Sequence, residues 1–82
     1  METTRVAVIS IIVEKQESVD ALNHMLHTYS HYIIGRLGIP YRAKGINIIC
    51  VAVDAPAEQI DALSGALDLI DGISVSVAYS KN

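Results

Sequence analysis

The sequence predicts an α+β sandwich in which a four-stranded antiparallel sheet carries two helices on one face. Two observations lead to this prediction: runs of Val and Ile alternate with amphipathic segments, and the elements follow the order β-α-β-β-α-β. Right-handed crossovers in this order place both helices on one side of the sheet and make the first and third strands central. With 82 residues, the chain has room for one compact domain, which we assign to residues 1–82.

The first strand is predicted over Arg5–Val13, where Val and Ile dominate and no helix-breaking residue occurs. Ser18 stands directly before a segment with helical spacing of apolar residues, so we expect it to cap a helix from about Val19 to Ser30. The apolar stripe of this helix consists of Val19, Leu22, Leu26 and Tyr29.

The second and third strands are predicted to form a hairpin. β-favouring residues return at 32–37, and an apolar run covers 46–53. Between these two runs, Gly38, Pro40 and Gly45 indicate an elaborated turn.

Asp54 and Pro56 mark the start of the second helix, since an Asp side chain accepts free amide protons and Pro tolerates the first turn. The inward stripe of this helix consists of Ile60, Leu63, Leu67 and Ile70. Ser64 and Gly65 lower the helix propensity, which we interpret as a close approach of another backbone; a flexible turn of helix is the alternative. The fourth strand follows at 73–80 with strict alternation of apolar residues with small or polar ones. This order of elements is that of the ferredoxin-like fold.

Both central strands are apolar on both faces, although the helices cover only one face of the sheet. In the first strand, one face consists of Val6, Val8 and Ile12 and the other of Ala7, Ile9, Ile11 and Val13. In the third strand, one face consists of Ile46, Ile48, Cys50 and Ala52 and the other of Asn47, Ile49, Val51 and Val53. Burial of such a face drives association, whereas its exposure favours aggregation. We therefore predict a homo-oligomer, a dimer or a tetramer, that pairs through the open sheet face. The alternative is that loops or tails cover the face within a monomer.

Composition narrows the function classes. The net charge is −3 with dispersed cations, so direct nucleic-acid binding is not expected, and no apolar run is long enough to span a membrane. The single cysteine excludes an intrachain disulfide and the first residues lack a secretion-signal pattern, so we expect a cytoplasmic location. The sequence lacks dinucleotide-binding, P-loop, HExxH, C-x-x-C and nucleophile-elbow motifs, so we predict a non-catalytic protein without a cofactor.

His24, His27 and His31 are candidate metal ligands, because steps of three and four residues place them on one side of a helix. Neutral imidazoles suit Zn, Ni or Cu. However, His31 lies at or beyond the expected helix end, and no carboxylate or thiol stands at a supporting spacing. We therefore assign no metal site, and a histidine-based metal sensor stays an alternative.

Residues at the end of the first helix and along the hairpin are candidates for binding a ligand or a protein partner. Arg36 and Arg42 flank the predicted hairpin turn and form a cationic cluster with Lys44, which suits an anion, a carboxylate ligand or a partner surface. An ordinary solvated rim is the alternative interpretation of these three cations. His27 and Ser30 complete the candidate binding set.

A second function class is a small dimeric enzyme of the α+β barrel type. In such an enzyme two sheets enclose a pocket, and His27 or a tyrosine transfers protons. The pocket needs polar groups on the inward sheet face, for which Ser10, Asn47 or Cys50 are the candidates.

Four stretches resemble a known family, the iron-only hydrogenase system regulators. These are Val13-Glu14 after the apolar strand, NHMLHTYS at 23–30, RLGIPYR at 36–42 and ALSGAL at 62–67. The resemblance covers nearly the whole chain. It implies an ACT-like structure and a cytoplasmic bacterial regulator-like module.

The chain is also similar in its expected shape to the C-terminal domain of nickel-responsive repressors, which forms tetramers and binds nickel. By this resemblance His27 falls at a ligand position, but Gly38, Pro40 and Ile46 stand where the other donors are expected. The resemblance therefore implies assembly and does not transfer the nickel site.

Overall fold

The computed structural model describes residues 3–81; Met1 and Glu2, on which the location prediction partly depends, and Asn82 lie outside the described residues. The strands are β1 (Arg5–Val13), β2 (Ile33–Tyr41), β3 (Ile46–Ala55) and β4 (Ile73–Tyr79), and the helices are α1 (Val19–Thr28) and α2 (Ala57–Asp68). Over these residues the sheet is antiparallel with the order β2-β3-β1-β4. The predicted fold class and the central positions of β1 and β3 are confirmed.

The hydrophobic core lies between the helices and one face of the sheet. On β1, Ala7, Ile9, Ile11 and Val13 are buried, and on β3, Ile49, Val51, Val53 and Ala55 are buried. The helices contribute Leu22, Leu26, Ile60, Leu63 and Leu67. Both predicted helix stripes therefore face the sheet, as the 3.6-residue period requires. The alternation of the strand residues sends the intervening apolar side chains to the other face.

The N-terminal boundary of α1 differs in chemistry from the prediction. Ser18 precedes the helix, but its backbone is already helical at φ −85° and ψ −8°, and its side chain makes no cap. A 3₁₀ turn over Gln16–Ser18 leads into α1 and turns the hydroxyl towards the far loop. There, the Ser18 Oγ donates to the carbonyl oxygen of Asp71 at 2.5 Å. This hydrogen bond connects the segment before α1 to the loop after α2.

The C-terminal boundary of α1 also differs, because the helix ends at Thr28 and not at Ser30. Tyr29 leaves the helical region with φ −102° and ψ 15°. A separate 3₁₀ turn over Ser30–Tyr32 then leads into β2. The chain therefore changes direction just after His27, which brings the end of α1 close to the start of β2.

Strand β2 is longer than predicted and includes Gly38 and Pro40. Pro40 pairs with Asn47 on β3 and is accommodated because β2 is an edge strand, which has a neighbouring strand on one side only. The turn itself is shorter than expected: a 3₁₀ turn at Arg42–Lys44 ends at Gly45 with a left-handed φ of 65°.

Two predictions about α2 are wrong. Asp54 does not start the helix, because β3 continues to Ala55 and pairs Asp54 with Val6; Pro56 takes the position before the first helical residue. Within one copy of residues 3–81, Gly65 is not a point of close backbone approach, since no atom beyond its chain neighbours and its own helix backbone lies within 4 Å of the position a Cβ would take.

The loops after β1 and after α2 contact each other. Lys15 and Asp71 form an ion pair, which raises the pKa of the Lys15 amine and lowers the pKa of the Asp71 carboxyl. The backbone N–H of Glu14 donates to the carbonyl of Gly72 at 2.7 Å. Gly72 has a φ of 78° and lies against the Lys15 side chain, so the turn needs a residue without a Cβ.

Candidate functional site

The face of the sheet opposite the helices is largely apolar and exposed within residues 3–81. Val6, Val8 and Ile12 of β1 are each more than 40% exposed, and so are Leu37, Ile39 and Tyr41 of β2. The pairing of the strands aligns these side chains with Ile46, Ile48, Cys50 and Ala52 of β3. We refer to the apolar residues of this face on β1, β2 and β3 as the open sheet face. The predicted division of β1 and β3 into two apolar faces is confirmed.

The apolar character decreases towards β4. In register with the β1 residues of the open sheet face, β4 presents Ser74, Ser76 and Ala78. Ser10 on β1 pairs with Ser76 on one side and with Cys50 on the other. The apolar area is therefore centred on β3, and Ser74 and Ser76 of β4 form one border of it.

A cleft lies between α1 and the edge strand β2 on the helix side of the sheet. It has a volume of about 340 Å³. Its lining consists of Asn23, Leu26, His27, Ser30, Ile33 and Arg36. We call this space the α1–β2 cleft. Three of the four residues predicted to bind a ligand or partner, namely His27, Ser30 and Arg36, therefore lie together.

The local fold explains why these residues meet. Leu26 is buried in the core and fixes the rotation of α1, so that His27 points along the side of the helix. The 3₁₀ turn that follows α1 carries Ser30 back towards the sheet. On β2, Arg36 is in register with the buried Val51, whereas its neighbours Gly35 and Leu37 are in register with open-face residues. Arg36 therefore belongs to the helix side of the sheet.

A hydrogen bond crosses the space between α1 and β2. Arg36 donates from Nη2 to Oδ1 of Asn23 at 3.2 Å. A second cleft of about 300 Å³ begins on the other side of this contact and reaches Pro40 and Asn47. Asn23 and Arg36 line both spaces, so their hydrogen bond divides one longer groove into two parts.

The electrostatics of the α1–β2 cleft are those of a cationic site. Its lining contains one guanidinium and no carboxylate. In the described part of the chain, the ion pair between Lys15 and Asp71 is the one found, so Arg36 has no carboxylate within ion-pair distance. A guanidinium has five N–H donors, and the bond to Asn23 occupies one of them.

Arg42 is placed apart from the other candidate residues. The prediction that Arg36 and Arg42 flank a single turn is wrong, because β2 continues through both glycine and proline to Tyr41. Arg42 and Lys44 belong to the exposed 3₁₀ turn at the hairpin tip. Six residues of extended strand, or about 20 Å, separate Arg42 from Arg36 along the chain. The three cations therefore do not form one cluster.

The histidines lie at three different positions. His24 and His27 are on α1, whereas His31 is on the 3₁₀ turn, where its ring packs against the Tyr32 ring at a centroid distance of 4.0 Å and an interplanar angle of 39°. Residues 3–81 contain no group of three or more His, Cys, Asp or Glu side chains that could hold a metal ion. No geometry for a metal centre therefore arises from these side chains within one copy of the described chain.

The residues suggested for a barrel-type enzyme do not share one face. Ser10 and Cys50 lie on the same side of the sheet as the open sheet face, but Asn47 lies on the helix side, where its Nδ2 donates to Oε1 of Gln16 at 3.3 Å. His27 is on α1, across the sheet from any space that two paired sheets would enclose. The prediction that Asn47 is one of the polar groups on the inward sheet face is wrong.

Sequence reasoning missed three residues of the α1–β2 cleft: Asn23, Leu26 and Ile33. Asn23 and His27 are four residues apart and therefore share a helix face, which is a signal that the sequence did contain. The sequence did not predict that Ile33 lines this cleft, because its position depends on where α1 ends and on the irregular pairing of β2 between Ile33 and Gly35.

An antiparallel β2-β3-β1-β4 sheet with two helices on one face defines the protein as an ACT-like, ferredoxin-like domain. The ACT domain of the GTP pyrophosphokinase from Chlorobium tepidum superposes with a TM-score of 0.72 at 17% identity, covering 98% of this chain and 90% of that one. A formyltetrahydrofolate deformylase from Pseudomonas putida KT2440 gives a TM-score of 0.66 at 14% identity, covering 94% of this chain and 29% of that one. These two likenesses concern the fold alone.

The family follows from a closer match. A model of TM1266-like proteins, described as "Iron-only hydrogenase system regulator, putative", matches residues 5–77, and the chain belongs to this family. The uncharacterized protein TM1266 from Thermotoga maritima has a TM-score of 0.92 and 30% identity, covering 95% of this chain and 99% of that one. The resemblance drawn from the sequence motifs is thereby confirmed. No curated protein gives a significant match.

Neither helix of the described chain has the length and hydropathy needed to cross a bilayer.

Proposed function

We propose that the protein is a non-catalytic regulatory module that forms a homodimer through its open sheet face and binds a small ligand or a partner segment in the α1–β2 cleft. Membership of a regulator family and the ACT-like fold support the regulatory role. The family description supports a role alongside an iron-only hydrogenase system. We place this role in the cytoplasm, because the single cysteine leaves no intrachain disulfide. The observation that carries the assembly is the exposure of Val8, Ile12 and Ile39 on a single face.

The size of the open sheet face fits a second copy of this chain. The three strands of this face lie about 4.8 Å apart and are about nine residues long; together with the neighbouring β4 they cover roughly 19 by 30 Å before the relief of the side chains is counted. A stable interface removes about 800 Å² of accessible surface per partner. Each copy presents its own apolar area to the identical area of the other, which is the arrangement of a two-fold dimer.

The described parts of the chain offer no other cover for this face. Ser80 follows β4 and donates its backbone N–H to the carbonyl of Val6 at 2.9 Å, so the chain there stays in line with the sheet. Because Val6 and Val8 stay exposed, no segment within residues 3–81 covers the β1 part of the face. Association with a second copy would remove these side chains from water.

Strand β2 provides a physical route between a ligand and the assembly. Arg36 lines the α1–β2 cleft, and the next residue, Leu37, belongs to the open sheet face. A ligand held by Arg36 and a partner copy packed on Leu37 would contact consecutive residues of one strand. Small shifts of β2 would then alter both contacts, which is the minimum requirement for linked binding.

The assembly is tested with a matched pair of lysine variants in sedimentation velocity. Ile39→Lys places a charge on the open sheet face, where Ile39 is 45% exposed. We expect the dissociation constant of the dimer to rise at least about 100-fold. Leu69→Lys is the control, because Leu69 is 88% exposed and follows α2 away from that face. It should assemble as the unchanged protein does.

Circular dichroism of both lysine variants shows whether each retains the fold, and Leu37→Lys serves as a second variant on the same face if Ile39→Lys does not fold. A monomer of 8.9 kDa for the unchanged protein at high micromolar concentration would contradict the proposed pairing. Equal weakening by Ile39→Lys and Leu69→Lys would show that another surface mediates assembly.

A further inference from the structure

The α1–β2 cleft combines a cationic side with an apolar floor. We propose that it binds a small carboxylate that carries a short apolar body. This inference rests on the regulatory function proposed above and names the class of ligand for the same site. Arg36 and Ser30 provide donors for the carboxylate, and the half-buried Ile33 provides the accessible apolar floor above the buried Leu26.

Arg36 is the residue that selects a carboxylate. Its guanidinium is planar, and two parallel N–H groups match the two oxygens of a carboxylate. The hydrogen bond to Asn23 holds the side chain across the cleft while leaving other donors available. The overall charge of the chain is −3, so an uncompensated cation in a cleft without acidic lining is a local feature of this site.

Ser30 and His27 extend the polar side of the cleft. Neither side chain makes a hydrogen bond or an ion pair with another residue in the described range 3–81. The Ser30 hydroxyl can donate to a carboxylate oxygen, and the His27 imidazole can donate from a ring N–H. Both residues are exposed, so a ligand can reach them without any movement of the core.

The opposite side of the cleft favours an apolar group. Leu26 is fully buried beneath it, and Ile33 is half-buried. A volume of about 340 Å³ stands at the small end of the range of about 300–1,000 Å³ that ligand pockets show. A ligand of a few carbons would cover this apolar floor. Inorganic phosphate would contact Arg36 and leave the floor exposed to water.

The proposal is tested by titrating the folded protein with butyrate and recording ¹H–¹⁵N correlation spectra at fixed ionic strength. We expect saturable shifts confined to the end of α1, the 3₁₀ turn after it and the first half of β2. Arg36→Gln should weaken binding about tenfold or more, because it removes the charged donors. Arg42→Gln is the matched control: it removes the same charge at the hairpin tip and should leave the affinity unchanged.

Two further probes test the chemistry of the ligand. Butyramide has the same apolar body without a charge and should not bind, and inorganic phosphate should bind more weakly than butyrate. Equal affinities for butyrate and butyramide, tighter binding of phosphate, unchanged butyrate affinity in Arg36→Gln, or no saturable shifts would each overturn the proposal.

The titration separates this inference from the proposed assembly. Ile39→Lys leaves all six lining residues intact and should still bind butyrate. A protein that pairs through its sheet but does not bind butyrate overturns the ligand class alone. A monomeric protein that binds butyrate overturns the sheet pairing alone.

Discussion

Single residues fix the turns that bring the two ends of the sandwich together. Gly45 and Gly72 both adopt left-handed backbone conformations, with φ values of 65° and 78°. Their surroundings differ. The position of a Cβ on Gly45 is open, whereas a Cβ on Gly72 would lie 2.6 Å from Cγ of Lys15. Glycine is therefore needed at position 45 for its backbone conformation alone, and at position 72 for both its backbone conformation and its close packing against Lys15.

The two glycines give a matched test by urea denaturation. Gly45→Ala should lower the free energy of unfolding by about 1 kcal/mol, the cost of a left-handed residue with a Cβ. Gly72→Ala should lower it by more, because the new methyl group also displaces the stem of Lys15 and disturbs its ion pair with Asp71. Equal losses would show that the contact with Lys15 contributes nothing.

At the scale of elements, the periodicity of apolar residues predicted the core-facing sides of both helices, because burial selects one face of each. For β1 and β3 it predicted two apolar faces but not which of them is buried, because alternation alone does not distinguish two apolar faces. Boundaries that depend on distant contacts were not predictable. Asp54 has the chemistry of a helix cap, yet pairing with Val6 keeps it in β3. Likewise, the hydroxyl of Ser18 bonds to Asp71, more than fifty residues away, instead of capping α1.

The site was predictable to a similar degree. His27 and Ser30 were assigned to the end of α1 on sequence position, and the structure places them in one cleft with Arg36. The sequence did not reveal that Arg36 and Arg42 lie apart, because glycine and proline in 38–40 suggest a turn where an edge strand continues. The hydrogen bond between Arg36 and Asn23 joins two elements and has no local sequence signal.

At position 65 of helix α2, nothing within the described chain requires a glycine. Gly65 lies inside the helix, and a Cβ there meets open space. Gly65→Ala should therefore raise the free energy of unfolding by about 0.5–1 kcal/mol, as expected for replacing glycine in a helix interior. Thermal and urea denaturation monitored at 222 nm measure the change. The reverse substitution Ala66→Gly, one position further along, is the control and should destabilise by a similar amount.

A destabilised Gly65→Ala variant would contradict the open surroundings of this helix position. If destabilisation occurs only at protein concentrations where copies associate, a neighbouring chain approaches Gly65, and the interpretation of a close backbone approach would hold between molecules.

At the scale of the whole molecule, two surfaces lie on opposite sides of one sheet. The helix side holds the α1–β2 cleft, and the other side is the open sheet face. Strand β2 contributes to both, because its residues alternate between the two sides. An edge strand with this double exposure is a suitable place for a ligand to influence how two copies pair, without any change in the core.

The central claim is that two copies bury each other's open sheet face. The reactivity of Cys50 tests this claim, because Cys50 is the one cysteine of the sequence and belongs to that face. A charged thiol reagent reports whether the face is in contact with water. We predict that the reaction slows as the protein concentration rises through the range where copies pair, and that Ile39→Lys reacts rapidly at every concentration. A rate for the unchanged protein that is equally fast at all concentrations would contradict the pairing of the sheets.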